Sequence, residues 1–184
     1  MTRSVFTALA RAALPLVAVL ALSVTAEAEG LPNGATALNE TFNDWSVNCR
    51  LQGKEGARKT ICNMQQVQMQ KNTRKRVLTV NFNSQPGGAV KGSIILPFGL
   101  DLAAGVKLRI DAGEATAPIP FRTCVPMGCI IPIDWKSATT DALRKATALK
   151  IETKSVDGKD MPFSVSLKGF GAALDRASSL SSAE

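Results

Sequence analysis

Four cysteines are the residues of this chain whose types and spacing could support chemistry. Cys49 and Cys62 flank a loop, and Cys124 and Cys129 enclose four residues that include Pro and Gly. Four cysteines allow three disulfide pairings. Paired strands of a hairpin bring two Cβ atoms within bonding distance, and a short Pro-Gly loop turns sharply enough to join the other two. We therefore predict Cys49–Cys62 and Cys124–Cys129, each stabilising the fold by roughly 2–4 kcal/mol.

Two other kinds of cysteine chemistry are alternatives to these disulfides. A zinc site of four thiolates usually has about two to four residues between the members of each pair, and only Cys124 and Cys129 come near that spacing. A redox pair favours Cys-x-x-Cys at the start of a helix, and neither pair has this spacing. Titration of free thiols with and without reductant distinguishes the three interpretations.

Catalytic residues are scarce in this sequence. It contains no histidine and no tyrosine, which excludes hydrolases that use Ser-His-Asp or Cys-His chemistry. Two carboxylates could in principle hydrolyse a glycan. The candidates are Asp44, Asp101, Asp111, Glu114, Asp134 and Asp141. No motif pairs them, and most adjoin predicted turns, where Asp bonds the backbone. We expect a protein that is not an enzyme and has no cofactor and no metal.

Basic residues are concentrated in one segment of a chain whose net charge is +7. Within residues 50–76 the only acid is Glu55, and the basic members are Arg50, Lys54, Arg58, Lys59, Lys71, Arg74, Lys75 and Arg76. Such a segment attracts anions, and the attraction weakens as salt rises. It predicts an anionic partner, an envelope or host-surface glycan or lipid. The alternative is a charged, solvated strand face that contributes only solubility.

Alternating residues predict the strands that carry the cysteines. Residues 44–51 alternate Trp45, Val47, Cys49 and Leu51 with polar residues, the period of a half-buried strand. Residues 60–70 form a second candidate strand, and the pair is predicted to be a hairpin. Further strands are predicted at residues 77–83, 92–96, 106–111, 119–124, 129–133, 148–155 and 162–168. Short strands separated by Gly and Pro turns are typical of a sandwich or barrel.

The predicted fold is one all-β sandwich of mostly antiparallel strands with one short helix and two disulfides. That helix runs from Thr139 or Thr140, either of which could cap it, to about Ala148, with Arg144 and Lys145 near its end. A weaker helical turn is predicted at residues 170–177. The domain spans residues 41–177, between a flexible N-terminal segment, residues 29–40, and a disordered tail, residues 178–184.

Residues 1–28 have the pattern of a signal peptide. Arg3 and Arg11 supply a basic n-region before an apolar run, residues 12–24, and Ala26-Glu27-Ala28 provides small residues for cleavage. The run is shorter than the roughly 20 residues that span a bilayer. We therefore expect export to the periplasm or beyond, and no transmembrane segment in the mature chain; an uncleaved anchor is the alternative. In such a compartment nucleic acid is not an expected partner, and the low aromatic content, 5%, disfavours base stacking.

Two further features have both a functional and a structural interpretation. Gln65, Gln66, Gln68 and Gln70 lie with Met64 and Met69 in the second predicted strand. Together they could form an adaptable exposed edge that binds an envelope protein by strand pairing, or they could simply be a polar strand face. Trp135, after Asp134, could form a platform for carbohydrate, whereas packing in the core is the interpretation we favour for both Trp45 and Trp135.

Several segments resemble the invasion-associated locus B proteins of alphaproteobacteria. The matching segments are Phe42-Asn43-Asp44-Trp45-Ser46-Val47-Asn48-Cys49, Cys62 followed by Met64-Gln65-Gln66, Leu96-Pro97-Phe98-Gly99-Leu100, Phe121-Arg122-Thr123-Cys124, Gly128-Cys129 and Ser166-Leu167-Lys168-Gly169-Phe170. The resemblance implies an exported, mainly β domain with disulfides, in a family associated with host-cell invasion. We expect this chain to contribute to host-cell interaction through its basic surface. The resemblance supplies no catalytic residues. The alternative is a structural or folding-assistance protein of the periplasm.

Overall fold

The computed structural model describes residues 31–54 and 57–181, and the predicted signal peptide lies outside them. Strands make up most of the regular structure. They are β1 Ala37–Phe42, β2 Trp45–Gln52, β3 Lys59–Met69, β4 Arg76–Ser84, β5 Val90–Leu96, β6 Lys107–Ile110, β7 Thr123–Val125, β8 Gly128–Trp135, β9 Ala148–Glu152 and β10 Phe163–Ser166. The α-helices are α1 Ser137–Lys145 and α2 Phe170–Ser181, and short 3-10 turns lie at Pro32–Gly34 and Pro86–Gly88.

Two antiparallel sheets form the fold. Seven strands pair in the order β1-β2-β3-β4-β5-β8-β7, and three pair in the order β10-β9-β6. Buried residues of both sheets and of both helices belong to one hydrophobic core. The predicted fold class, a mostly antiparallel β domain consistent with a sandwich, is therefore confirmed.

The core forms on one face of the larger sheet because its strands alternate buried and solvent-facing residues. In β2, Trp45 and Val47 are fully buried. The Trp45 ring stacks on Phe82 of β4, with centroids 5.8 Å apart, and meets the edge of Phe170 of α2 at 5.4 Å. Aromatic burial of this kind contributes a large share of the hydrophobic stabilisation. The predicted core position of Trp45 is thus confirmed.

Side-chain amides join the two sheets. Gln66 of β3 is 4% exposed, its Nε2 donates to the Ser166 carbonyl at 2.9 Å, and its Oε1 accepts from the Ser166 N–H at 3.2 Å. Gln68 Nε2 donates to the Ser164 carbonyl at 2.8 Å, and Trp45 Nε1 donates to the Ser166 carbonyl at 2.9 Å. These side chains bind the edge of β10 that pairs with no described strand. They supply hydrogen bonds that a further strand would otherwise provide.

The N-terminal part of the domain begins earlier than predicted. Residues 37–40 were expected to be flexible, but they belong to β1, which pairs with β2 from Ala37 to Phe42, and Leu31 is only 3% exposed. None of the β1 side chains is fully buried. Leu38 and Phe42 pack against the core, but Glu40 lies between them on the same face, so the strand period is too weak to recognise in the sequence.

The C-terminal part contains a second helix rather than a helical turn and a disordered tail. α2 extends through residues 178–181 of the predicted tail; residues 182–184 lie outside the description. Its buried residues are Phe170, Ala173, Leu174, Ala177 and Leu180. They recur at helical spacing, so one apolar face packs on the larger sheet. Small residues on the other positions conceal this pattern in the sequence.

Two local predictions near α1 also differ from the structure. α1 begins at Ser137, and Thr140 is buried within the helix, so neither predicted threonine is its N-cap. Thr140 Oγ1 instead donates to the Lys136 carbonyl at 3.3 Å. The predicted strand at residues 119–124 is reduced to β7, because Ile119 pairs singly with Val106. Ile119 lies between two prolines, which have no N–H to extend a ladder.

Candidate functional site

The cysteines are all used in structural bonds. Cys49 faces Cys62 across β2 and β3, and Cys124 faces Cys129 across β7 and β8. Both pairs are disulfide-bonded, and none of the four cysteines is free. This is the pairing that the sequence predicts, and it leaves no thiolate for zinc binding or redox exchange in the oxidised protein.

The eight predicted basic residues are all exposed, but they do not form one surface. Arg50, Lys54, Arg58 and Lys59 lie around the β2–β3 turn, and we call them the β2–β3 cluster. Lys71, Arg74, Lys75 and Arg76 lie around the β3–β4 turn, and we call them the β3–β4 cluster. The two clusters lie at opposite ends of β3, which has 11 residues and is therefore about 35 Å long.

The β3–β4 cluster lies on a tight, hydrogen-bonded turn. Gln70 N donates to the Lys75 carbonyl at 2.8 Å, and Arg74 N donates to the Gln70 carbonyl at 2.9 Å. Thr73 Oγ1 donates to Gln70 Oε1 at 2.7 Å. Arg74 has a φ of 52°, the left-handed conformation that closes such a turn. The backbone geometry therefore presents four cationic side chains on one short connection.

Ion pairs between described residues neutralise six cations outside the two clusters. Among the described residues they are Lys91–Asp134, Arg109–Glu152, Arg144–Asp175, Lys154–Asp160, Lys159–Asp157 and Arg176–Glu40. Hydrogen bonds from Arg176 lower the pKa of Glu40, and those of Arg144 with Asp175 raise the pKa of Arg144. No member of the β3–β4 cluster has an ion pair with a residue in the described part of the chain, so its positive potential is uncompensated there.

The carboxylates that could have formed a catalytic pair mostly bind backbone groups or cations. Asp101 Oδ1 accepts from the N–H of Ala103 at 3.1 Å, and Asp111 accepts from the N–H of Ala148 at 2.8 Å. Ser166 Oγ donates to Asp44 at 2.6 Å. Within residues 31–54 and 57–181 no group of three potential metal ligands lies together. These carboxylates have structural partners that explain their positions.

A surface cavity of about 350 Å³ lies between the loop before β6 and the end of β9. Its charged lining residues include Glu152 and Asp160, which form ion pairs with Arg109 and Lys154. An open cavity whose carboxylates are already paired has no obvious acid and base directed at one point. It therefore gives no support to glycan hydrolysis.

The predicted exposed edge in the second strand is wrong. β3 lies between β2 and β4, so both of its edges are paired, and the described edge strands of the larger sheet are β1 and β7. Met64 is fully buried, and Gln66 is 4% exposed. Trp135 is half-buried and meets Phe82 edge-on, with centroids 5.1 Å apart. Its contact with the core favours a structural role over a carbohydrate platform.

Exposed apolar residues near the β3–β4 cluster were not predicted. Phe98 follows β5, Met127 lies in the β7–β8 turn, and Val156 follows β9, with exposures of 59%, 59% and 76%. Each lies next to a glycine or two residues before one, in a turn whose other residues are small or polar. A large apolar residue at such a position is the sequence signal that could have identified them.

The fold and the cysteine pairs together define a class: a disulfide-linked β protein of two antiparallel sheets. No helix in the described ranges has the length and apolar character to cross a membrane. The model of the invasion associated locus B (IalB) protein family matches residues 45–178. The chain belongs to this family.

Individual relatives agree with this assignment. An invasion protein B homolog of Brucella abortus is 41% identical over 86% of this chain and 89% of its own length. Invasion protein B of Bartonella bacilliformis is 37% identical over 82% of this chain and 80% of its own length. The crystal structure of invasion associated protein b from Bartonella henselae superposes with a TM-score of 0.69 at 32% identity, covering 78% of this chain and 96% of that one.

Proposed function

We propose that this protein is a non-enzymatic, exported binding protein that contacts anionic surfaces through the β3–β4 cluster. Its place is the periplasm or the outer surface, where thiols oxidise, and the two disulfides are consistent with that compartment. The names of the relatives connect those proteins with invasion. For this chain the corresponding role is contact with an envelope or host-cell surface that carries phosphate or carboxylate groups.

The observation that carries the proposal is the uncompensated charge of the β3–β4 cluster. Lys71, Arg74, Lys75 and Arg76 are exposed on one turn and have no described acidic partner. Four cations close together attract an anionic polymer or surface more strongly than four dispersed cations do. The β2–β3 cluster is a weaker candidate because Glu55, the only acid within residues 50–76, lies among its members in the sequence.

Binding to heparin and to lipopolysaccharide tests the proposal. The variant has Arg74→Glu, Lys75→Glu and Arg76→Glu, and the matched control has Arg50→Glu, Lys54→Glu and Arg58→Glu, which change the net charge equally. Each basic residue near an anionic surface contributes about 1 kcal/mol. We therefore expect the β3–β4 variant to bind at least about 100-fold more weakly in low salt, and the control to bind much more tightly than that variant.

Three results would contradict this function. Equal losses in both variants would mean that only net charge matters, and unchanged binding in the β3–β4 variant would remove the cluster from the binding site. Affinity that does not fall between about 50 and 300 mM salt would exclude an electrostatic interaction, because screening shortens its range. Fractionation with protease treatment of whole cells tests the location: a protein found reduced in the cytosol would contradict export.

A further inference from the structure

One end of the larger sheet combines exposed apolar side chains with the β3–β4 cluster. Phe98, Met127 and Val156 are separated by many residues in the sequence, yet each is more than half exposed. Isolated exposed apolar residues are normal on a protein surface. Three of them at one end, in three different loops, need a physical explanation.

Strand pairing brings the three loops together. Leu96, at the end of β5, pairs with Cys129, so the chain that continues to Phe98 runs beside the turn that contains Met127. The Val156 N–H donates to the Gly99 carbonyl at 3.0 Å, which places Val156 next to the same segment. The three apolar residues therefore lie around the end of β5.

The same register places the basic cluster beside them. Thr79 of β4 pairs with Ile95 of β5 in an antiparallel ladder, so Arg76, at the start of β4, lies at the same end of the sheet as the segment after β5 that contains Phe98. Neighbouring strands are about 4.8 Å apart. The β3–β4 turn, with Lys71 and Lys75, extends from β4 at this end. Apolar and cationic side chains thus lie in loops at the same end of the larger sheet.

The acidic residues of the nearby β9–β10 loop are already neutralised. Asp157 forms an ion pair with Lys159 at 2.8 Å, and Asp160 forms one with Lys154 at 3.4 Å. Neither carboxylate cancels the charge of the β3–β4 cluster. The end therefore presents net positive charge next to apolar loop tips.

We propose that this end of the protein docks on a lipid bilayer that contains anionic lipids. Phe98, Met127 and Val156 enter the interfacial region, and the β3–β4 cluster contacts the phosphate headgroups. Apolar side chains gain free energy when they leave water, and cations are attracted to the negative leaflet, so a bilayer satisfies both groups at once. A soluble acidic glycan would leave the apolar side chains in water. This inference rests on the proposed function and assigns its anionic surface to a membrane.

Vesicle binding tests the inference with disulfide-intact protein recovered from an export host. The probes are vesicles of phosphatidylcholine alone and vesicles with about one third phosphatidylglycerol, a content that creates a strongly negative surface. The test variant has Phe98→Ser, Met127→Ser and Val156→Ser. The control is Ile61→Ser, because Ile61 is 42% exposed beside Arg50 of the other basic cluster. Every variant has the same N-terminus, so differences report on the substituted residues.

We expect the triple serine variant to bind anionic vesicles at least about tenfold more weakly, because three apolar side chains lose their burial, while its binding to heparin is unchanged. Ile61→Ser should bind like the unmodified protein. Phe98→Trp provides a direct measurement: brominated lipids should quench the additional fluorescence of this variant, and Ile61→Trp should show no such additional quenching. Near-ultraviolet circular dichroism verifies that each variant remains folded.

Several results would overturn the inference. Equal vesicle binding by the triple serine variant and the unmodified protein would leave a purely electrostatic contact, so the proposed function would remain without membrane insertion. Binding to heparin but to no vesicle would have the same meaning. Chemical crosslinking of the same variants tests for a protein partner. If the triple serine variant loses a crosslink that the unmodified protein forms, while its vesicle binding is unchanged, the apolar residues bind a protein. Failure to bind heparin, lipopolysaccharide and vesicles would refute the proposed function itself.

Discussion

Gln66→Leu tests the amide connection between the two sheets. The Gln66 side chain lies on the face of β3 that meets the core, and it makes two hydrogen bonds with the backbone of Ser166. Leucine has a similar size, so the substitution removes the polar groups and leaves little cavity. The Ser166 carbonyl keeps its hydrogen bond from Trp45, but the Ser166 N–H loses the partner that Gln66 provides.

The expected loss of stability comes mainly from the Ser166 N–H, which is left without its partner. A hydrogen bond contributes about 1 kcal/mol net, and a buried donor left without a partner costs about 1–3 kcal/mol. Better burial of the leucine side chain offsets part of this cost. We expect Gln66→Leu to lower the free energy of unfolding by about 2 kcal/mol, which lowers the urea midpoint by about 1 M at a typical m-value.

Gln65→Leu is the matched control. Gln65 lies on the opposite face of β3, is half-buried and donates to Asn81 Oδ1 at 2.7 Å. Its backbone contacts do not change, so we expect a loss of less than about 1 kcal/mol. Tryptophan fluorescence in urea measures both variants, with Trp45 and Trp135 as the probes. Equal stability of Gln66→Leu and Gln65→Leu would refute the role of Gln66 as a substitute for a strand.

Other contacts give further predictions. Alanine replacement of the Cys49–Cys62 pair should cost about 3 kcal/mol and that of Cys124–Cys129 about 2 kcal/mol in urea unfolding, because the second loop is shorter; the reverse order would contradict the loop-entropy model. Gly169→Ala should cost more than about 3 kcal/mol, because its φ is 89° and a Cβ would lie 2.0 Å from the Phe42 carbonyl; a small loss would refute this. In the unmodified protein, the free energy of unfolding should fall as pH drops from the ordinary Glu pKa of about 4.3 through the lowered pKa of Glu40. Glu40→Gln should make the free energy of unfolding depend less steeply on pH in this range, and an unchanged dependence would exclude a contribution from Glu40.

The amino-acid pattern predicted the strands best where one face of a strand is buried. In β2 and β4 large apolar residues alternate with polar ones, and both strands lie within two residues of their predicted ends. β1 was missed, and α2 was predicted only as a weaker helical turn at residues 170–177, for different physical reasons. In β1, Glu40 lies between Leu38 and Phe42 on the same face, which weakens the strand period, whereas α2 packs through Ala173 and Ala177, residues that a hydropathy pattern barely registers.

The basic segment shows a different limit of sequence reasoning. Its eight cations lie within 27 consecutive positions, but a long strand separates them into two groups. A high density of cations along the sequence gives a high density on the surface only when the segment folds back on itself. β3 instead separates Lys59 and Lys71 by the whole length of the strand. The charge that an anionic partner meets should therefore be counted separately for each turn. The hairpin predicted from the sequence already implies this, because it separates the two groups of cations.

The glutamines of β3 were misinterpreted because the polar character of a side chain does not show what it faces. Gln66 and Gln68 point to the core side of the sheet, where their nearest neighbours are backbone groups at the edge of β10. An apolar residue at position 66 would leave the Ser166 N–H without the partner that Gln66 provides, so this buried position favours an amide. The strand cannot serve as an adhesive edge for a separate reason: its backbone pairs with β2 on one side and with β4 on the other. Two of its amides, those of Gln66 and Gln68, are bound to the other sheet, so the polar residues of β3 hold the fold together.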